Sequence, residues 1–250
     1  MKILKIGGSF ITNKAGYKEL NANNLDKMAV VISKLWKEGC RDFILVHGAG
    51  SFGHPLVNKY ELKTSIRTEN QRLGFADTHA ACSHLSLEFV KKLIEYGVPA
   101  ISIPPAVAIE QRNKRIISLN KIVYHYLGNG FLPILYGDMV LDNEITGSVC
   151  SGDQITAHLG KYAEFVVLAT DVDGVLDSDK RIIPLITRLN FDEVSKHLYS
   201  KEGDVTGSMK GKIQEMLNLS SPAFIVNAAH PERIESILKG HPTISTKIQV

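Results

Sequence analysis

The chain has 250 residues, of which 44% are hydrophobic and 22% are charged, and its formal net charge is +3. This composition is typical of a soluble globular protein with one large domain or two small ones. Lysines and arginines are dispersed along the chain, which argues against a nucleic-acid-binding surface. A small anionic substrate, in contrast, needs only a few well-placed cations.

The three cysteines, Cys40, Cys82 and Cys150, are far apart in the sequence and form no C-x-x-C motif. This spacing argues against a disulfide framework and against a cysteine-rich zinc site. The N-terminal segment MKILKIGGS is too short in apolar residues for a signal peptide, and no stretch approaches the roughly 18 apolar residues of a membrane span. We therefore expect a cytoplasmic protein that has no membrane partner.

Short apolar runs alternate with amphipathic segments along the chain. The runs predict strands at Ile3–Ile6, Phe43–Val46, Ala100–Ile103, Leu132–Tyr136, Phe165–Ala169 and Phe224–Val226. The amphipathic segments predict helices at Asn24–Glu38, Glu69–Tyr96, Lys121–Asn129, Asp153–Leu159, Asp192–Leu198, Gly211–Leu219 and Pro231–Leu238. This alternation indicates an α/β fold with a mainly parallel sheet covered on both faces. Without repeats or linker-like segments, residues 1–250 are predicted to form a single domain.

Glycine-rich or aspartate-rich clusters follow four of the predicted strands. GGS follows Ile6, HGAGSFGH follows Val46, YGD follows Leu135, and TDVDG follows Ala169. Ligands of open α/β sheets bind at the carboxyl ends of the strands, where glycine lets backbone amides approach a phosphate. The four clusters together therefore predict a phosphate-binding site at this edge of the sheet.

Two common nucleotide-binding motifs do not account for these clusters. The chain has no G-x-x-x-x-G-K-[ST] motif. GAGSFG matches G-x-G-x-x-G, but no acidic residue occurs about 20 positions later at a strand end, as a Rossmann dehydrogenase requires. Each glycine turn taken alone is more typical of an ordinary tight turn between a strand and a helix than of a phosphate site.

Six motifs, in this order and at this spacing, resemble those of the amino acid kinase family over nearly the whole chain. They are KIGGS (residues 5–9), GAGSFGH (48–54), GD (137–138), SGD (151–153), TDVDGV (170–175) and DVTGSMKGK (204–212). The resemblance implies a three-layer αβα sandwich, with the phosphate acceptor bound by about residues 1–150 and ATP bound by about residues 151–250. GAGSFGH with its histidine most resembles the branch that uses ATP to phosphorylate isopentenyl phosphate to isopentenyl diphosphate, a step of isoprenoid biosynthesis.

The resemblance also implies a role for particular residues. The catalytic group is implied to comprise Lys5, Lys14, His54 and Asp153. The nucleotide is implied to contact Lys5, Gly7, Gly8, Ser9, Gly50, Asp171, Asp173, Gly174, Gly207 and Lys212. The acceptor is implied to contact Ala49, Gly50, Gly53, His54 and Gly137. In this scheme Lys14 stabilises the transition state and Asp153 holds the lysines in place.

His54 is predicted to bind and orient the acceptor phosphate, in a loop after the second glycine turn. A phosphate monoester has a second pKa near 6, so the acceptor is already mostly a dianion at neutral pH and needs no general base. Two unit charges about 4 Å apart repel by roughly 4 kcal/mol at an effective dielectric constant of 20, so neutralising charge is the main requirement. His47 is predicted to support the strand end from behind.

Three further positions carry predictions of their own. Lys212 matches the lysine of the family's G-G-M-x-x-K motif, although Ser208 replaces the second glycine, and Lys210 is predicted to face solvent. Asp138 is predicted to orient backbone donors, since a bare carboxylate there would repel substrate. No acidic cluster predicts a metal site, so Mg²⁺ is expected to arrive on the phosphates of ATP.

Other functions remain compatible with parts of the sequence. FVVLATDVDGVL also resembles the nucleophile motif of haloacid-dehalogenase-type phosphatases, with Asp171 as nucleophile and Asp173 as acid or base. A fosfomycin-type phosphonate kinase, another small-acid kinase and a nucleotide-binding regulatory module share the expected fold. An isoprenoid tail would need an apolar wall, and Leu73–Leu87 can supply it or can simply pack in the core. By analogy with the family, a homodimer is expected.

Overall fold

The structure is a computed structural model that describes residues 1–13, 15–196, 198 and 209–249. Its strands are β1 (Lys2–Ile6), β2 (Phe43–His47), β3 (Ala100–Ser102), β4 (Ile109–Arg112), β5 (Arg115–Leu119), β6 (Leu132–Tyr136), β7 (Asp138–Asp142), β8 (Thr146–Cys150), β9 (Val166–Thr170), β10 (Leu185–Ile186), β11 (Ala223–Asn227) and β12 (Thr246–Ile248). Its helices are α1 (Gly8–Ile11), α2 (Ala22–Lys37), α3 (Gly50–Lys59), α4 (Glu69–Glu95), α5 (Pro105–Ala108), α6 (Ile122–Gly128), α7 (Gly152–Gly160), α8 (Phe191–Ser195), α9 (Met209–Met216) and α10 (Pro231–Leu238).

Within the described residues, eight strands form the main sheet in the order β10-β12-β11-β9-β1-β2-β6-β3. Neighbouring strands from β11 to β3 run parallel, whereas β12 pairs antiparallel with β11. The central strands β9, β1, β2 and β6 are adjacent, and they are the four that the glycine and aspartate clusters follow. Their carboxyl ends therefore meet at one edge, as the sequence predicts.

Each face of the main sheet is covered by helices, because alternate strand residues point to opposite sides. Leu4 and Leu45 pack with residues of α2, α3, α4 and α10. Ile3 and Ile44 pack with residues of α6, α7 and α9 on the other side. β1, β2 and β6 are buried almost throughout, which explains their continuous apolar sequences. The predicted three-layer αβα sandwich is confirmed.

Side-chain caps mark the start of α4 and α7. Thr68 caps α4 and Ser151 caps α7, and each forms a capping box with the glutamine three residues later. Because the Ser151 hydroxyl accepts the Gln154 amide at 3.2 Å, the first turn of α7 begins at a defined residue. Asp153 lies in this turn and its position is thereby set.

A second sheet was not predicted from the sequence. It has the order β5-β4-β7-β8 in the described residues and lies beside the carboxyl end of β6. β7 and β8 form an antiparallel hairpin, and β7 starts directly after Gly137. β4 alternates buried and exposed residues but has only four residues, and β5 has no buried residue, so neither strand has a long apolar run in the sequence.

The GAGSFGH segment is also different from the expectation. The sequence predicts a loop that carries His54, but α3 begins at Gly50, so His54 lies on a helix. Three glycines and Pro55 suggested a loop, yet the segment packs against α4 and is stabilised by that contact. All the strands and helices predicted from the sequence are present, with ends that differ by a few residues.

Candidate active site

Two glycine turns meet at the centre of the sheet edge. A Cβ atom on Gly8 would lie 2.7 Å from the carbonyl carbon of Gly48, and one on Gly48 would lie 2.6 Å from the Gly8 nitrogen. Gly50 has a φ of +51°, a conformation that glycine adopts without strain. Only glycine allows the backbones after β1 and β2 to approach this closely, so the two turns form one rigid unit.

Several backbone amides of these turns donate hydrogen bonds inside the protein. The Gly7, Gly48 and Gly137 amides donate to the carbonyl oxygens of Ala169 (2.9 Å), Ile6 (3.0 Å) and His47 (2.9 Å), respectively. These bonds tie the ends of neighbouring strands together. The amides of Gly8 and Ser9 start α1 and that of Gly50 starts α3, so, as at any helix start, they lack intrahelical acceptors and are suited to bind an anion.

Asp153 brings two lysines from distant parts of the chain together. Its Oδ1 lies 2.9 Å from Lys5 Nζ on β1, and its Oδ2 lies 3.8 Å from Lys212 Nζ on α9. The side chains of Lys5, Asp153 and Lys212 are only 6%, 16% and 17% exposed. Three of the residues implied by the resemblance therefore form one largely buried charge cluster with a net positive charge.

The charge state of this cluster follows from its surroundings. Burial acts to raise the pKa of Asp153, but the charges of Lys5 and Lys212 outweigh it, and the pKa lies below its usual value. The carboxylate is therefore ionised near neutral pH and keeps both ammonium groups near the carboxyl end of β1. Lysine is well suited to contact a phosphoryl group from such a position.

The first turns of α3 are held by contacts with the segment after α1. Thr12 Oγ1 donates to the Gly8 carbonyl at 2.8 Å and accepts the Ser51 amide at 3.0 Å. Pro55 has no amide hydrogen, so the Ser51 carbonyl is free to accept the Lys18 amide at 3.1 Å. These bonds fix the helix that carries His54, and His54 itself is partly buried on it.

Two of the glycines that are predicted to contact the phosphate acceptor, Gly53 and Gly137, lie at different positions around α3. Gly53 is buried against α4, where an added Cβ would lie 3.2 Å from Cys82 Sγ. A Cβ on Gly137 would lie 3.4 Å from the amide nitrogens of both Ala49 and Gly152. Gly137 therefore brings the start of β7 against the start of both α3 and α7. Ala49 is the N-terminal cap residue of α3.

His47 lies behind the glycine turns, as predicted. Its ring is fully buried and stacks on the Tyr136 ring, with the two ring centroids 5.5 Å apart. Its Nδ1 lies 3.0 Å from the Gly48 carbonyl oxygen. Burial lowers the pKa of His47 to about 4. The ring is therefore neutral at physiological pH and serves as a packing residue under the turn.

Asp138 binds a histidine that the sequence reasoning missed. Its carboxylate is fully buried, and it accepts the Met139 amide at 2.8 Å and contacts His79 Nδ1 at 2.9 Å. Burial raises the pKa of Asp138, and the hydrogen bond from His79 opposes this effect. The same hydrogen bond raises the pKa of His79. The prediction that Asp138 binds a backbone donor is confirmed, but its histidine partner could not be read from the sequence.

The aspartates after β9 lie at the other end of the site. Asp173 accepts hydrogen bonds from Arg233 of α10 and, at 3.1 Å, from Asn227 of β11. The hydrogen bond from Arg233 lowers the pKa of Asp173. Gly174 packs against β12, where an added Cβ would lie 2.6 Å from Thr246 Oγ1. Arg233 and Asn227 were also missed, because neither belongs to a glycine or aspartate motif.

The remaining sequence predictions concern residues outside the described part of the chain, an exposed lysine, the apolar segment Leu73–Leu87 and a metal site. Lys14 and Gly207 lie outside the described residues, as does Ser208. Lys210 is exposed, as predicted. In the segment Leu73–Leu87, Leu85 packs in the core, whereas Phe75 is only partly buried beside Met139. Within the described part of the chain, no group of three or more His, Cys, Asp and Glu residues could hold a metal ion.

The sequence model of the amino acid kinase family matches residues 1–227. The chain belongs to this family. It is 36% identical to an isopentenyl phosphate kinase of Methanothermobacter thermautotrophicus, with 99% of this chain and 98% of the relative covered. It is 30% identical to an isopentenyl phosphate kinase of Thermoplasma acidophilum, with 96% of each covered.

A solved isopentenyl phosphate kinase structure has the same fold, with a TM-score of 0.85, 34% identity and full coverage of both chains. The chain is therefore a phosphotransferase of the amino acid kinase family. This match favours the kinase interpretation of TDVDGV over the phosphatase interpretation. Among the described helices, none is long and apolar enough to cross a membrane.

Proposed function

We propose that this chain transfers the γ-phosphoryl group of ATP to isopentenyl phosphate and forms isopentenyl diphosphate. The observation that carries the proposal is the Lys5–Asp153–Lys212 cluster beside the two packed glycine turns. It supplies positive charge where two phosphates must approach each other. The similarity to isopentenyl phosphate kinases at up to 36% identity supports this acceptor over other small acids.

The proposed chemistry is a direct in-line transfer with no covalent enzyme intermediate. An oxygen of the acceptor dianion attacks the γ-phosphorus, and the bond to the β-phosphate oxygen breaks to release ADP. Lys5 and Lys212 neutralise the charge on the transferring and leaving groups, and Asp153 holds them in place. Lys14 stabilises the transition state in this scheme. Catalysis then depends on positioning and electrostatics.

On the acceptor side, His54 donates a hydrogen bond to the phosphate of isopentenyl phosphate. Ala49, Gly50, Gly53 and Gly137 form the surrounding backbone. Support comes from the position of His54 on α3, directly after the glycine turn. The acceptor lobe comprises about residues 1–150.

On the nucleotide side, ATP binds within about residues 151–250 and to the first glycine turn. The implied contacts are Lys5, Gly7, Gly8, Ser9, Gly50, Asp171, Asp173, Gly174, Gly207 and Lys212. Both carboxylate oxygens of Asp153 lie near lysines, so this residue is unsuited to bind a cation. Mg²⁺ therefore fits best on the phosphates of ATP, where it adds further charge neutralisation. Assembly as a homodimer and a cytoplasmic location remain predictions.

The test is product analysis with purified protein, ATP and Mg²⁺. Separate reactions contain isopentenyl phosphate, dimethylallyl phosphate or fosfomycin, and the products are identified by phosphorus NMR and mass spectrometry. The proposal expects a diphosphate with the first two acceptors and little product with fosfomycin. Preferred phosphorylation of fosfomycin would instead assign the chain to the phosphonate kinases, and nucleotide binding without turnover would indicate a regulatory module.

A further inference from the structure

The pair His79–Asp138 joins α4 to the start of β7 next to the proposed acceptor site. Asp138 directly follows Gly137, whose α-carbon lies against the backbone of Ala49. His79 precedes Cys82 by about one helical turn, and Cys82 Sγ would lie 3.2 Å from a Cβ added to Gly53, the neighbour of His54. Both partners are thus adjacent to the backbone that is proposed to bind the acceptor phosphate.

The two side chains differ in exposure, and this difference indicates which edge of the His79 imidazole is accessible. The Asp138 carboxylate is 0% exposed, whereas the His79 side chain is 34% exposed. His79 Nδ1 forms a hydrogen bond with Asp138 Oδ2 at 2.9 Å, and no described residue forms a hydrogen bond with His79 Nε2. The carboxylate therefore holds one edge of the ring, and the opposite edge remains available to a ligand.

We propose that His79 is a further acceptor-binding residue, which donates a hydrogen bond from Nε2 to an oxygen of the acceptor's phosphate group. This inference rests on the proposed function. Isopentenyl phosphate has oxygen atoms only in its phosphate group, so a donor beside the acceptor has no other partner on that molecule. Asp138 acts as a positioning residue that orients the ring and favours its charged form.

The location of His79 along α4 fits this assignment. One turn before it, Phe75 packs with Ile66 and Met139 in a small apolar cluster. About one turn after it, Cys82 lies against Gly53 at the phosphate end. His79 therefore lies between an apolar surface suited to the hydrocarbon tail and the backbone suited to the phosphate.

The decisive variant is His79→Asn. The amide nitrogen of asparagine takes the place of Nδ1, so the hydrogen bond to buried Asp138 is kept while the Nε2 donor is lost. The matched control is His84→Asn, an exposed histidine on the same helix. A second variant, His79→Gln, reaches the Nε2 position and should recover part of the acceptor binding.

The experiment combines turnover of wild-type protein with calorimetric binding of isopentenyl phosphate and, separately, of ATP. We expect His79→Asn to weaken isopentenyl phosphate binding about tenfold, with ATP binding and melting temperature unchanged. His84→Asn should match wild type. If wild type is active and His79→Asn binds the acceptor normally, this inference alone is overturned. Wild-type protein that cannot phosphorylate isopentenyl phosphate would overturn the proposed function, and this inference with it.

Discussion

Lys5 Nζ and Asp153 Oδ1 lie 2.9 Å apart, one at the end of the central strand β1 and the other in the first turn of α7. The ion pair joins the two proposed lobes across the carboxyl edge of the sheet. Because Lys212 also approaches Asp153, a single carboxylate orders two cations. The arrangement explains why an acidic residue belongs in a site that must attract phosphates.

Asp153→Asn should disable the enzyme, because the two lysines lose the charge that holds them together. We expect turnover to fall at least about 100-fold and the free energy of unfolding to fall by about 3 kcal/mol. Steady-state kinetics with ATP and isopentenyl phosphate, and urea denaturation, measure the two effects. Glu88→Gln, which removes an exposed ion pair with Lys91 on α4, is the control and should change stability by less than about 1 kcal/mol. Turnover close to wild type in Asp153→Asn would contradict the proposed role.

His54→Ala should remove the acceptor hydrogen bond and leave the nucleotide site intact. We expect phosphorylation of isopentenyl phosphate to fall about 100-fold or more, while ATP binds with unchanged affinity. Kinetics and calorimetry on the same preparation separate the two effects. His125→Ala, at an exposed position of α6, is the control. Unchanged turnover in His54→Ala would refute the assignment.

His47 should make the fold sensitive to acid. The unfolded chain takes up this proton near pH 6.5, whereas burial holds the folded-state pKa at about 4, so protonation favours unfolding. The contribution of the neutral ring to the free energy of unfolding is fully present above pH 6.5. About 3 kcal/mol of this free energy is lost as the pH falls to 4. His47→Phe removes this titration. Urea denaturation between pH 4 and 8 should therefore show a shallower acid loss for the variant, with parallel behaviour above pH 7. Equal acid slopes for the two proteins would rule out this role of His47.

Gly8→Ala should disrupt the contact between the two glycine turns. The added Cβ would overlap the Gly48 carbonyl carbon and the Gly50 amide, which are backbone atoms and cannot move aside independently. We expect a loss of about 3 kcal/mol in unfolding free energy and little remaining activity. Gly128→Ala is the matched control, because nothing lies within 4 Å of an added Cβ on that α6 residue. The control should be neutral or slightly stabilising. Normal stability and turnover for Gly8→Ala would show that the turns tolerate a side chain.

The edge of the sheet where the site lies could be predicted from local sequence. The apolar runs that end at Ile6 and Val46 and the glycines after them are contiguous in the chain, so their periodicity and turn chemistry are visible without a structure. The family motifs supplied Lys5 and Asp153 as catalytic residues and Lys212 as a nucleotide contact. The parallel order of the strands predicts that the segments after β1, β2, β6 and β9 meet at one edge, whereas the approach of Lys212 on α9 to Asp153 is seen only in the structure.

Other features were decided by tertiary contacts alone. The helical state of Gly50–Lys59 depends on its packing against α4, since glycine and proline disfavour a helix by themselves. The pairing of His79 with Asp138 joins residues from two elements whose sequences show no shared pattern. The antiparallel sheet β5-β4-β7-β8 likewise depends on pairing between separated segments. Local sequence encodes periodicity and turns, whereas the partner of a buried charge is selected by which elements the completed fold brings together.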